Sequence, residues 1–71
     1  MELNFSVVDE QGEPLDIFCE VHPRGGHVYW RAWVYGFASL KDSIEGHAFD
    51  ESAIAGQVQA EVMIRGIRAA D

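Results

Sequence analysis

The chain has 71 residues and a formal net charge of −7, from twelve acidic and five basic residues. A chain of this length forms one domain, here residues 1–71, with a small core, because folding at this size buries only about 60% of the unfolded chain's surface. The acidic balance argues against direct binding to nucleic acid, since that affinity comes mainly from lysine and arginine neutralising phosphates.

The cysteine content and the N-terminus indicate a cytoplasmic protein. Cys19 is the only cysteine, so the sequence excludes an internal disulfide and is typical of a reducing compartment. Glu2 follows Met1, and neither the basic start nor the long apolar run of a signal peptide or membrane span is found. We therefore expect no contact with a membrane.

Two predicted strands, over 3–8 and 15–22, form the first hairpin, because inward apolar residues alternate with outward residues in both. The sequence DEQGEP between them predicts a three-residue loop in which Asp9 faces Glu13 and Gly12 takes the left-handed conformation. This register pairs the inward residues Val7 with Leu15, Phe5 with Ile17, and Leu3 with Cys19.

The aromatic run His27–Phe37, HVYWRAWVYGF, is the third predicted strand. Its alternation turns Trp30 towards the core and Trp33 towards the opposite face. Residues 23–26 are predicted to form the preceding turn, so that His22 pairs with His27.

The outward face of the third strand carries aromatic rings and one cation. In the predicted register Arg31 lies diagonally between Asp16 and Glu20, within reach of both carboxylates. Tyrosine, tryptophan and arginine commonly anchor protein interfaces. Two interpretations remain open for this face: it is a binding surface or dimer seam, or it is covered by residues 38–49 as a second small core.

The second half of the chain predicts a loop and then a helix. Residues 38–49 are interpreted as loop, which could include one helical turn ended by Gly46. Residues 50–70 are predicted as a helix with Asp50 as N-cap and with a hydrophobic staple between Phe49 and Ile54. A fourth strand is the alternative over 57–68, because residues 57–62 alternate and each of two glycines weakens a helix by about 1 kcal/mol. The predicted fold class is α+β: a three-stranded antiparallel meander with one C-terminal helix packed on one face.

We also considered whether particular residues could bind a metal or act in catalysis. His22 and His27, with Glu20, could hold Zn²⁺ or form a pH-sensitive pair, but two exposed polar histidines explain the pattern equally simply. Cys19 faces the core, where a thiol is inert, and no phosphate-binding loop or paired carboxylates are recognisable. We therefore expect no enzyme activity, no cofactor and no metal.

These features predict a small acidic binding protein that docks on a basic protein surface. The expected partner-binding residues are Asp9, Glu10, Glu13, Asp16, Phe18, Glu20, Tyr29, Arg31, Trp33 and Tyr35. In size, acidity and absence of motifs, the chain resembles small phage-encoded anti-defence proteins, including anti-CRISPR proteins. The resemblance implies a bacterial nucleic-acid-handling complex as partner in the host cytoplasm, inhibited by steric block or nucleic-acid mimicry. The alternative is a homodimeric structural or assembly protein with an aromatic and helical interface.

Overall fold

A computed structural model describes residues 1–35 and 43–69 as a four-stranded antiparallel sheet with one helix on one face. The strands follow one another in space as in sequence: β1 (Glu2–Val8), β2 (Pro14–Pro23), β3 (Val28–Val34) and β4 (Ile44–Ala48). A 3-10 turn, Glu51–Ala53, leads into helix α1, Ile54–Arg65. The structure therefore has the predicted α+β class and meander order.

The predicted number of strands was wrong, because β4 adds a fourth strand beside β3. Its sequence, IEGHA, alternates between inward Ile44 and Ala48 and outward Glu45 and His47. Gly46 stands between them, where we had expected a loop or the end of a helical turn. The rest of the predicted loop, residues 38–42, lies outside the described residues.

The first hairpin agrees with the prediction in loop and register. The Asp9 N–H donates to the Glu13 carbonyl at 2.8 Å, and the Gly12 N–H donates to the Asp9 carbonyl at 2.9 Å. Gly12 has a φ of 80°, the left-handed conformation that a three-residue loop of this kind needs. The strands pair with Val7 opposite Leu15, so apolar residues of β1 and β2 meet on one face.

The second hairpin differs from the predicted one by two residues. Its loop is the pair Gly25-Gly26, with φ values of 54° and 92°, and the Arg24 N–H donates to the His27 carbonyl at 2.8 Å. Positive φ at both central residues is the type I′ turn, whose twist suits a two-residue hairpin. His22 therefore pairs with Tyr29 rather than with His27. Because side chains alternate with a period of two, a two-residue shift leaves every residue on its predicted face.

The predicted helix is present but shorter than residues 50–70. The Asp50 carboxylate caps the 3-10 turn Glu51–Ala53 by accepting from the Ser52 N–H at 2.9 Å, whereas α1 itself begins after Ala53 without a side-chain cap. Gly66, with a φ of 65°, ends α1 in the left-handed conformation. The predicted staple does not form, because Phe49 is 88% exposed. Residues 57–65 are helical, so the alternative of a strand there was wrong. None of the helices in the described ranges is long and apolar enough to cross a membrane.

Trp30 joins three elements of the core. Its side chain is 1% exposed, and its Nε1–H donates to the Oε1 atom of Gln57 on α1 at 2.7 Å. Directly across the β3–β4 pair, Gly46 leaves the space that the indole occupies, since a Cβ atom there would lie 2.6 Å from Trp30 Cζ2. The remaining core lies between the sheet and α1: Val7, Leu15, Ile17, Cys19, Val21, Ala32, Ile44, Ala48, Ile54, Val58 and Val62.

This packing predicts opposite effects for two glycine-to-alanine substitutions. Gly46→Ala forces a methyl group against the Trp30 ring and should lower the free energy of unfolding by about 1–3 kcal/mol. Gly56→Ala, in α1 with open space around it, should raise that free energy by about 0.5–1 kcal/mol. Urea unfolding of both variants checks the prediction, and a Gly46→Ala protein as stable as wild type would contradict it.

Candidate protein-binding face

The sheet face opposite α1 collects most of the predicted partner-binding residues. We define the outer face by the side chains of the four strands and the adjoining Tyr35 that point away from the helix. Its rings and charges are Phe18, Tyr29, Arg31, Trp33, Tyr35, Glu2, Asp16, Glu20, Glu45, His22 and His47. Within residues 1–35 and 43–69, no helix or strand packs over this face.

The centre of the outer face is an aromatic pair from neighbouring strands. Phe18 and Trp33 are directly opposite in the β2–β3 register, with ring centroids 5.7 Å apart and planes at 34°. The register predicted from the sequence, with His22 opposite His27, would have placed Arg31 opposite Phe18 and Asp16 opposite Trp33, and both pairings were wrong because of the two-residue shift. Both rings are half-buried, and Tyr35 at the end of β3 is 60% exposed. The pair therefore forms an apolar centre of the kind that interfaces use.

Arg31 is neutralised by β4 rather than by the predicted carboxylates of β2. Its guanidinium lies 3.2 Å from the Oε2 atom of Glu45, and the Tyr29 hydroxyl donates to Oε1 of the same carboxylate at 2.7 Å. The Tyr29 hydrogen bond, followed by the attraction of Arg31, lowers the pKa of Glu45. Glu20 lies directly opposite Arg31, while Asp16 accepts from the Ser6 hydroxyl at 3.0 Å. The guanidinium of Arg31 is thus engaged by an ion pair within the protein.

The outer face as a whole carries an excess of negative charge. Among the described residues, its four carboxylates, from Glu2, Asp16, Glu20 and Glu45, outnumber two guanidinium groups, that of Arg31 and that of Arg24, which lies 5.7 Å from the centroid of the Tyr29 ring. Two further predicted acids, Glu10 and Glu13, are exposed in the first hairpin loop at one end of the sheet. Negative charge therefore surrounds an apolar centre.

Asp9 differs from the other predicted acids because its carboxylate is used inside the fold. The residue is 1% exposed, and its Oδ1 atom accepts from the N–H groups of Gln11 at 2.8 Å and Glu13 at 2.9 Å. Its Oδ2 atom accepts from the Ala69 N–H at 2.9 Å. The hydrogen bond from Ala69, then that from Glu13, lowers the pKa of Asp9. Asp9 therefore ties the first hairpin loop to the segment after α1 and adds no charge to the surface.

The lowered pKa of Asp9 predicts a pH-dependent contribution to stability. The unfolded carboxyl titrates near 3.8 and the folded one below that value, so the contribution is full above this range and lost as the pH falls through the folded pKa. Asp9→Asn should therefore lower the melting temperature most near neutral pH and least in strong acid. Glu10→Gln, in the same loop, is the control and should change little. A melting-temperature loss for Asp9→Asn that is equal at all pH values would contradict this assignment.

The histidines are not arranged as the pair of His22 and His27 that the sequence analysis considered for Zn²⁺. His22 stacks on Tyr29 with centroids 5.9 Å apart, and its Nε2 atom lies 3.9 Å from Glu20 Oε1. His27 is instead beside His47, whose ring centroid lies 5.3 Å away. In the described part of the chain, no group of three or more His, Cys, Asp or Glu residues could hold a metal ion.

Cys19 lies in the core, as the alternation of β2 predicts. Its side chain is fully buried, and burial raises the pKa of its thiol to about 11. A thiol with a raised pKa carries little of the thiolate form that nucleophilic chemistry requires.

Two residues of the outer face were missed by the sequence analysis. Glu45 and His47 belong to β4, and their alternation with Ile44 and Ala48 was the signal that could have placed them there.

No protein-family model, curated protein or solved structure is significantly similar to this chain.

Proposed function

We propose that this chain is a non-enzymatic, cytoplasmic binding protein that docks through its outer face on a basic protein surface. The proposed partner is a bacterial complex that handles nucleic acid, inhibited in the manner of anti-CRISPR proteins. The observation that supports the proposal best is the combination of an apolar ring pair, Phe18 and Trp33, with surrounding carboxylates on one sheet face.

The aromatic centre would supply affinity. Large rings held between strands lose little conformational entropy when they bind, so truncating one such ring in an interface often costs about 2 kcal/mol or more. Tyr35 is the most exposed ring of this group, and its hydroxyl donates to Asn4 Oδ1 at 3.4 Å. That long contact leaves the hydroxyl available to a partner that offers a better acceptor.

The carboxylates would supply steering and selectivity. Asp16 and Glu20 lie on β2, and Glu2 lies on β1. The sheet therefore fixes the spacing of these negative charges, as a nucleic acid backbone fixes the spacing of its phosphates. A surface that binds phosphates is rich in lysine and arginine, and an acidic face is attracted to it over distances of about a Debye length. Occupying that surface would exclude nucleic acid from it.

Charge reversal on the outer face gives a matched test of steering. Glu20→Lys and Glu51→Lys each remove one negative charge and add one positive charge, changing the net charge from −7 to −5. Glu51 is exposed in the 3-10 turn that leads into α1 and is not part of the outer face. Glu20→Lys should slow association with the partner about tenfold at low salt, while Glu51→Lys should change it less than about twofold. Equal effects of both variants would contradict steering by the outer face.

Competition with nucleic acid tests the proposed mode of inhibition. Wild-type protein and the variants Glu20→Lys, Tyr35→Ala and Glu51→Lys are immobilised and exposed to bacterial lysate. A partner of the proposed kind is retained by wild type and by Glu51→Lys, lost from the other two, and eluted by added duplex DNA or RNA. A protein that is retained equally by all four, or that nucleic acid does not displace, would contradict the proposal.

A second candidate function is a homodimeric assembly protein. Exposed apolar residues on α1 favour this alternative. Ile64 is 76% exposed and Met63 is 42% exposed, and both lie in the last turn of α1. If these residues form a dimer interface, light scattering after size exclusion should give twice the monomer mass at micromolar concentration, and Ile64→Lys should restore the monomer mass. A monomer mass for wild type would reject this second candidate.

A further inference from the structure

We infer that His27 and His47 form a binding site for a divalent transition-metal ion. The two residues come from adjacent strands: His27 directly precedes β3, and His47 lies in β4 one residue before its end. Their ring centroids are 5.3 Å apart, so His27 lies beside His47 at the end of the outer face next to the second hairpin turn. This pair shares His27 with the pair considered from the sequence but has His47 in place of His22, and the inference does not depend on the proposed function.

The separation of the two rings suits a shared metal ligand. A Zn²⁺ ion lies about 2.0–2.1 Å from an imidazole nitrogen and prefers tetrahedral angles, which puts two ligating ring centroids about 5 Å apart. The observed distance is 5.3 Å, and the ring planes are inclined at 47°. The distance between the rings is therefore compatible with one nitrogen of each ring binding the same ion.

The two imidazoles are exposed, and among the described residues no side-chain hydrogen bond engages their nitrogens. Neither ring makes a hydrogen bond or an ion pair with any residue of 1–35 or 43–69, unlike His22, which lies beside Glu20. Both rings border an open pocket of about 320 Å³, also lined by Ala48, Phe49 and Gln57. An ion could enter from solvent and keep water in its remaining positions.

The backbone holds the pair in place on both sides. The type I′ turn at Gly25-Gly26 fixes His27 by its pairing with Arg24, and the β3–β4 register sets His47 opposite Tyr29. The Tyr29 ring, 5.4 Å from that of His47, restricts the imidazole further. Ligands held in advance lose less conformational freedom on binding a metal than ligands on flexible loops.

Two imidazoles select the class of metal and set the strength of binding. Imidazole suits Zn²⁺, Ni²⁺ and Cu²⁺, whereas Mg²⁺ and Ca²⁺ require oxygen ligands. With two protein ligands instead of the four of a structural zinc site, we expect a Zn²⁺ dissociation constant of about 10–100 µM and tighter binding of Cu²⁺.

The charged and titratable groups around the pair are Arg24, Tyr29 and Glu45 on the neighbouring strands and turn. Glu45 is already engaged by Tyr29 and Arg31, so it is not expected to serve as a third ligand.

Titration with Zn²⁺ alone, followed by calorimetry and by NMR of the imidazole nitrogens, tests the inference. In the wild-type protein, one Zn²⁺ per chain should shift the signals of His27 and His47 and leave those of His22 unchanged. His27→Gln and His47→Gln should each weaken binding at least about tenfold, as expected for loss of one of two ligands. His22→Gln is the matched control, since His22 also packs on Tyr29, and it should bind like wild type.

Three results would overturn the inference. They are the absence of Zn²⁺ binding at millimolar concentration, equal weakening by His22→Gln, and imidazole shifts in wild type that include His22 but not His47. The wild-type NMR result decides the question even if a variant folds poorly.

Discussion

The structure depends on the position of Trp30 between β4 and α1. Its indole fills the space that Gly46 leaves and donates a hydrogen bond to Gln57, so that one side chain holds together two strands and the helix. With Trp30 inward, the alternation of β3 requires that Tyr29 and Trp33 point to the opposite side of the sheet. The core and the outer face are thus consequences of the same orientation.

Local rules were sufficient to predict the first hairpin and the faces of the first three strands. Gly12 and the flanking Asp9 and Glu13 determine the loop, and alternation then determines which residues meet. The second turn was placed wrongly because PRGG offers several loops, and only the backbone conformation of Gly25-Gly26 distinguishes them. The error was two residues, an even number, so it changed the neighbours of Arg31 without changing its face.

Three of the missed features depend on contacts between distant parts of the chain: the glycine within β4, the ion-pair partner of Arg31 and the buried role of Asp9. Nothing within IEGHA itself indicates why a glycine should stand in a strand, since the reason is the ring of Trp30 on the neighbouring strand. The partner of Arg31, Glu45, could not be identified before β4 was known. In the same way, Asp9 looks like a surface acid until the N–H of Ala69, sixty residues later, is found beside it.

The contact between Trp30 and Gly46 can be measured directly by NMR. If the indole lies over Gly46, the Hα protons of this glycine should be shifted strongly upfield by the ring current and should show nuclear Overhauser effects to the Trp30 ring. The Trp30 Nε1–H should also exchange slowly with solvent, because it is buried and donates to Gln57. Ordinary Gly46 shifts, together with an indole proton that exchanges rapidly, would contradict this arrangement of core and outer face.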